Sequence, residues 1–205
     1  MFDWITSNSE WLNVIANWTM VAIWVLYLQV FLLSFRRQTL PKIVINQAAG
    51  SSLGAACFVS NMSSEAIYIE SVIVDVKTKD HSLACTVTDF EFADDQAADP
   101  KLRTFQGPLP PSQYTSLGTF DALIDTAARR TGRDGDELKR SADIFTVTVT
   151  IIADYASENL LIGAKRSFTA RADDDWKLSA NTPSTEQIRS TRERKRIYAT
   201  LALIE

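Results

Sequence analysis

The chain has 205 residues, 46% of them hydrophobic and 22% charged, with a formal net charge of −4. That composition is ordinary for a globular fold, and the acidic balance argues against nucleic acid as a partner, since phosphate neutralisation needs a concentrated basic face. One histidine and two cysteines leave few groups for metal or nucleophilic chemistry.

The first element is Val14 to Phe35, a run without a charged residue that stops at Arg36-Arg37. At about 1.5 Å rise per residue a helix over it is roughly 33 Å long, enough to cross a hydrocarbon core of about 30 Å. A cleaved signal peptide needs a basic leading region and a small-residue cleavage site. Residues 1–13 instead carry Asp3 and Glu10 and no Lys or Arg, and FRRQTLPK follows the apolar run. The segment is therefore expected to stay attached. With no Lys or Arg before it and Arg36, Arg37 and Lys42 after it, the positive-inside rule puts residues 1–13 outside and the bulk of the chain in the cytoplasm.

Ser7 and Glu10 fit a capping box that would start the helix early, with Trp4 and Trp11 at the outer interface. Asn13, Asn17, Met20, Trp24 and Tyr27 recur at spacings of four and three, so they share one face. Amides in hydrocarbon want partners, and interhelical hydrogen bonds of this kind contribute about 0.6 to 2 kcal/mol. That face suits another helix, although Asn13 and Asn17 could equally sit among headgroups and Gln29 could snorkel. The span contains no GxxxG, so a tight homodimer through glycines is not suggested.

After a juxtamembrane link at 36–41, about 160 residues suit one domain, expected over 42–183 with a basic tail at 184–205. Strands are read at Lys42 to Asn46, Ala55 to Asn61 and Ile67 to Lys77. In the third, Ile67 and Ile69 alternate with one phase and Val72, Val74 and Val76 with the other, which predicts a β-bulge at Glu70-Ser71. Leu83, Cys85 and Val87 point one way along the next strand. Residues 91–111 lose all period and read as a long surface connection, after which Ser112 to Gly118 reads as another strand. A helix follows, with Thr119 as N-cap, Phe120, Leu123, Ile124, Ala127 and Ala128 on one face, and Gly132 as its stop. TGRDGDE reads as a loop. Phe145, Val147, Val149, Ile151, Ala153 and Tyr155 then face inward along a long strand, and a hairpin through ASEN leads back along LLIGAKRSFTAR. The expected fold is one N-terminal transmembrane helix plus a mainly-β domain, an antiparallel immunoglobulin-like sandwich with one inserted helix.

If the first strands form a meander, Cys57 and Cys85 lie about 9.6 Å apart at a strand spacing of about 4.8 Å. A disulfide needs Cα atoms within about 7 Å, so two reduced, buried thiols are expected.

The stretches WLNVIANWTMVAIWVLYLQVFLLSFRRQ, PKIVINQAAG and FVSNMSSEAIYIESVI resemble a family of uncharacterised single-pass inner-membrane proteins of alphaproteobacteria. The likeness covers mainly the first third of the chain. It implies a bacterial inner-membrane setting and no active residues to carry over.

Little in the sequence points to catalysis. His81 sits in a turn, and Cys85, four residues along, is roughly 13 Å away if the strand is extended, too far for a base and its nucleophile. Asp94-Asp95 and Asp173-Asp174-Asp175 lack the spacing of a calcium loop, and TGRDGDELKR lacks that of a phosphate loop. No cofactor and no small-molecule substrate are implied. The expectation is a non-catalytic accessory subunit whose helix packs on a larger respiratory or photosynthetic membrane complex, its domain on the cytoplasmic face. The alternative is a membrane-tethered binding or sensory module that recruits soluble partners.

In the tail, Ser184 and Gln187 match a capping box, predicting a helix on which Arg189, Arg192 and Arg196 share a face. That face could meet anionic lipid or be solvated with Glu186 and Glu193 pairing locally. In a third reading, Ile197 to Leu203 alternate as a final strand.

Overall fold

The computed structural model describes residues 9–38, 40–79, 81–87, 104–158, 160–173 and 176–194. The chain divides into two compact units, Met1–Leu40 and Pro41–Glu205. The first holds a single described element, helix α1 (Ser9–Gln38), 30 residues long. It runs past the charge-free stretch at both ends, because once a helix is nucleated each further residue adds a backbone hydrogen bond. Ser7, half of the expected capping box, and Trp4 lie outside the described residues. The span from Ser9 to Arg36, with mean hydropathy 1.9, is long and apolar enough to cross a membrane. Its large side chains are exposed around the whole circumference, among them Trp18, Ile23, Leu26 and Val30. A helix apolar on every side is suited to lipid or to burial among other helices.

The second unit is mainly antiparallel β. Its strands in chain order are β1 (Ile43–Ala48), β2 (Ala56–Asn61), β3 (Ile67–Lys77), β4 (Ser82–Thr86), β5 (Gly107–Leu109) and β6 (Tyr114–Thr119), then β7 (Ile144–Tyr155), β8 (Ile162–Arg171), β9 (Lys177–Ala180) and β10 (Glu186–Ile188). They form a 3-stranded sheet in the order β1-β2-β6 and a 7-stranded sheet in the order β10-β8-β7-β3-β4, with β5 added to β3 and β9 to β8. Ile43, Ile45, Cys57, Val59 and Leu117 of the smaller sheet share one core with Val72, Val74, Val76, Val147, Val149, Ile151 and Phe168 of the larger. Each fully buried aliphatic or aromatic side chain there contributes roughly 1.5–3 kcal/mol by leaving water. The alternation expected for β7 holds, and Ile152, of opposite phase, is buried in a second cluster with Ile188 of β10.

The bulge lies where the phase slip placed it. Ile69 pairs with Ala153 and Ser71 with Ile152, leaving Glu70 as the extra residue, so both Ile67–Ile69 and Val72–Val76 keep their apolar side chains inward. The meander is not formed. β2 belongs to the smaller sheet while β3 and β4 belong to the larger, so Cys57 and Cys85 sit in different sheets. Both are buried and neither is in a disulfide.

Thr119 caps helix α2 (Phe120–Arg130), its hydroxyl accepting from the Ala122 N–H at 3.2 Å. Gly132 follows at φ 73°, the left-handed conformation a helix stop requires. A second helix corrects the expectation of one. Part of the segment read as a loop is α3 (Gly135–Arg140), capped by Asp134, with Leu138 buried. A Cβ on Gly135 would land on the Asp125 carboxylate and 3.1 Å from the Asp125 Cα, so glycine lets the two helices approach. Lys139 Nζ reaches Asp121 at 2.6 Å and Asp125 at 2.9 Å, joining α3 to α2.

The tail is corrected as well. Where a helix was expected from Ser184, residues Glu186–Ile188 form β10, pairing with β8, and helix begins only at 191–194. The final-strand reading of Ile197 to Leu203 lies outside the described residues.

Candidate functional site: the helix face and the ends of β1

Asn13, Asn17, Met20, Trp24 and Tyr27 all fall within α1, and unbroken helical backbone puts their four-three spacing on one face. Met20, Trp24 and Tyr27 are 59%, 67% and 68% exposed. The Trp24 and Tyr27 rings meet edge to face at 6.5 Å, a favourable aromatic arrangement. A shallow apolar groove runs beside them, lined by Val21, Trp24, Val25, Tyr27, Leu28 and Phe31. Gln29 lines a neighbouring depression with Arg36.

In the sheet domain the start of β1 is the most elaborated backbone. β1 is an edge strand, and edge N–H and C=O groups must find partners. They find side chains. The Gln187 amide accepts from the Ile43 N–H at 3.1 Å and donates to the Ile43 carbonyl at 2.6 Å. The Thr185 hydroxyl accepts from the Ile45 N–H at 2.9 Å and donates to its carbonyl at 3.1 Å. Arg166 donates to the Ile45 carbonyl and the Asn46 side chain, and also to the carbonyls of Thr182 and Pro183. The segment 182–188 is thereby strapped along β1 and covers its edge. These residues were missed in sequence, although Arg166 stands at an inward position between Ala164 and Phe168, which is the signal of a buried charge needing partners.

Asn61, 0% exposed, performs the same service between two turns. Its amide donates to the carbonyls of Glu65 at 2.8 Å and Leu109 at 2.9 Å and accepts from the Ser63 N–H at 2.8 Å. Beside it, Met62 donates its N–H to the Lys42 carbonyl.

The strap also places the basic residues. Lys42, Arg189 and Arg192 are exposed. Since 185 faces 45 and 187 faces 43, the segment runs antiparallel to β1, and Arg189 follows it in the direction of the start of β1. Arg194 is withdrawn from the basic cluster: it is 8% exposed and donates to Glu158 at 2.9 Å. The Arg37 side chain and Arg196 lie outside the description, so the expected face of Arg189, Arg192 and Arg196 is described only in its first two members.

His81 exchanges hydrogen bonds with Thr78 across its turn and borders a depression with Arg133, Asp134 and Glu137. Among the described residues no cluster of His, Cys, Asp or Glu is arranged to hold a metal ion. Asp94, Asp95, Asp174 and Asp175 lie outside them. Burial pushes the Cys57 thiol up to about 12, the Arg166 charge working weakly against it, which makes it a poor nucleophile.

Compared with protein families, curated proteins and solved structures, the chain matches none.

Proposed function

We propose that the protein is a non-catalytic accessory subunit of a larger integral-membrane complex, respiratory or photosynthetic, in a bacterial inner membrane. In this reading α1 packs on the host through Asn13, Asn17, Met20, Trp24 and Tyr27, and the β domain covers part of the host's cytoplasmic face. The observation that carries it is the α1 stripe, where amides and interlocked aromatic rings lie together along one exposed face of a membrane-length helix. Lipid offers the Asn13 and Asn17 amides no hydrogen-bonding partner, whereas another helix can. An immunoglobulin-like sandwich belongs to the same reading, supported by two antiparallel sheets sharing one core.

Purification of the tagged full-length chain in mild detergent is expected to bring a multi-subunit membrane complex with it. Trp24→Leu should insert normally, since apolar length is kept, yet lose most of that complex. Recovery of the wild-type chain alone would overturn the proposal, and an undiminished yield of partners with Trp24→Leu would remove the stripe from it.

A further inference from the structure

At the Pro41 end of the β domain, apolar and cationic groups are gathered in one place. Met62 is 57% and Tyr114 69% exposed. Met62 adjoins Lys42 through the backbone, while Tyr114 lies opposite Ser60, itself opposite Val44. The Tyr114 ring packs edge to face on Phe58 at 5.4 Å. Residues 107–119, which include the exposed Pro110 and Pro111, carry no charge. Single exposed apolar side chains are ordinary, but a contiguous group with polar neighbours marks a contact surface. The tip is also held firm, because Asn61 ties both of its turns together.

Exposed cations lie beside it: Lys42, Arg189 and Arg192 have no ion pair among the described residues, whereas of the acids Glu158 is paired with Arg194 and Glu65, which accepts from the Ser157 hydroxyl, keeps its charge. Asp154 and Glu193 are exposed acids as well, and the exposed Glu186 pairs with Lys165. Four residues separate the last residue of α1 from β1.

We propose that this tip rests in the headgroup layer of the membrane that α1 spans. Met62 and Tyr114 enter the interface, where amphipathic and aromatic groups are favoured, and Lys42 and Arg189 meet anionic headgroups. The proposal depends on α1 being a membrane span, but not on any host complex.

The test uses the purified full-length chain in nanodiscs of phosphatidylcholine with phosphatidylglycerol and a headgroup spin label. A fluorophore is placed at Met62→Cys, or at Lys177→Cys on the far end of the domain; the native thiols are buried. Met62→Cys is expected to be quenched about twofold more strongly than Lys177→Cys, because interfacial insertion brings the probe to the depth of the spin label. Lys42→Gln with Arg189→Gln should abolish the extra quenching that phosphatidylglycerol adds over phosphatidylcholine alone. Equal quenching at the two sites would overturn the proposal, and quenching indifferent to the cation changes would overturn its anionic-lipid part. Extraction of the chain from vesicles by carbonate would instead show that α1 is not a span, which separates the two failures.

Discussion

Arg166 brings a full charge to a position only 9% exposed, and the oxygens that accept from it are neutral. Taking a cation out of water costs several kcal/mol unless its N–H groups are satisfied; the two terminal nitrogens offset part of that cost by joining β8, β1 and the 182–183 segment at once, while the buried Nε has no hydrogen-bond partner. Cys57, which feels the same charge, is held protonated mainly by burial. A thiol whose folded pKa lies near 12 against an ordinary 9.0 favours folding fully below pH 9, and that contribution is lost as pH rises toward 12. Stability should thus fall by up to about 1.4 kcal/mol per pH unit from Cys57 alone. Burial disfavours the Lys139 cation, but hydrogen bonds to Asp121 and Asp125 raise it to about 12 from 10.5, so its contribution fades only above 10.5. Denaturation midpoints between pH 9 and 10.5 should therefore slope downward in the wild type and more gently in Cys57→Ala, whose cavity cost is the same at every pH. Parallel slopes would show that the thiol is not shifted.

Among the elements, the bulge in β3 offers the sharpest test. Glu70 is the only residue there without a partner across β7, and its carbonyl accepts from the Gln106 side chain at 2.8 Å. Deleting Glu70 would let Ser71 follow Ile69 directly and keep every apolar residue of β3 on its present face. The expected loss is about 1 kcal/mol, that of one neutral hydrogen bond, measured as a shift in denaturation midpoint. Deleting Ile73 instead would reverse the remaining strand and prevent folding. The bulge was legible because a period-two pattern cannot slip silently. α3 was not, because a six-residue helix with one apolar residue, Leu138, and a glycine at its start carries the marks of a turn. Its helicity comes from the Asp134 cap and from Lys139 reaching Asp121 and Asp125, partners that lie on another element.

For the whole molecule, the proposed orientation is checked by fusion after Glu205. A reporter active only in the cytoplasm should be active there, and alkaline phosphatase should not; the reverse would overturn the positive-inside argument. The sequence by itself determined the membrane-length helix, the strand phases and the capped helix α2, because each rests on the chain's own periodicity and on neighbours within a few residues. Tertiary structure alone decided that β2 and β3 part into different sheets, that Glu186–Ile188 becomes strand where helix was expected from Ser184, and that Arg194 is buried while Arg189 is not. Those outcomes turn on hydrogen bonds between residues as distant as Ile43 and Gln187, whose edge groups had to be satisfied somewhere, and no local pattern records where.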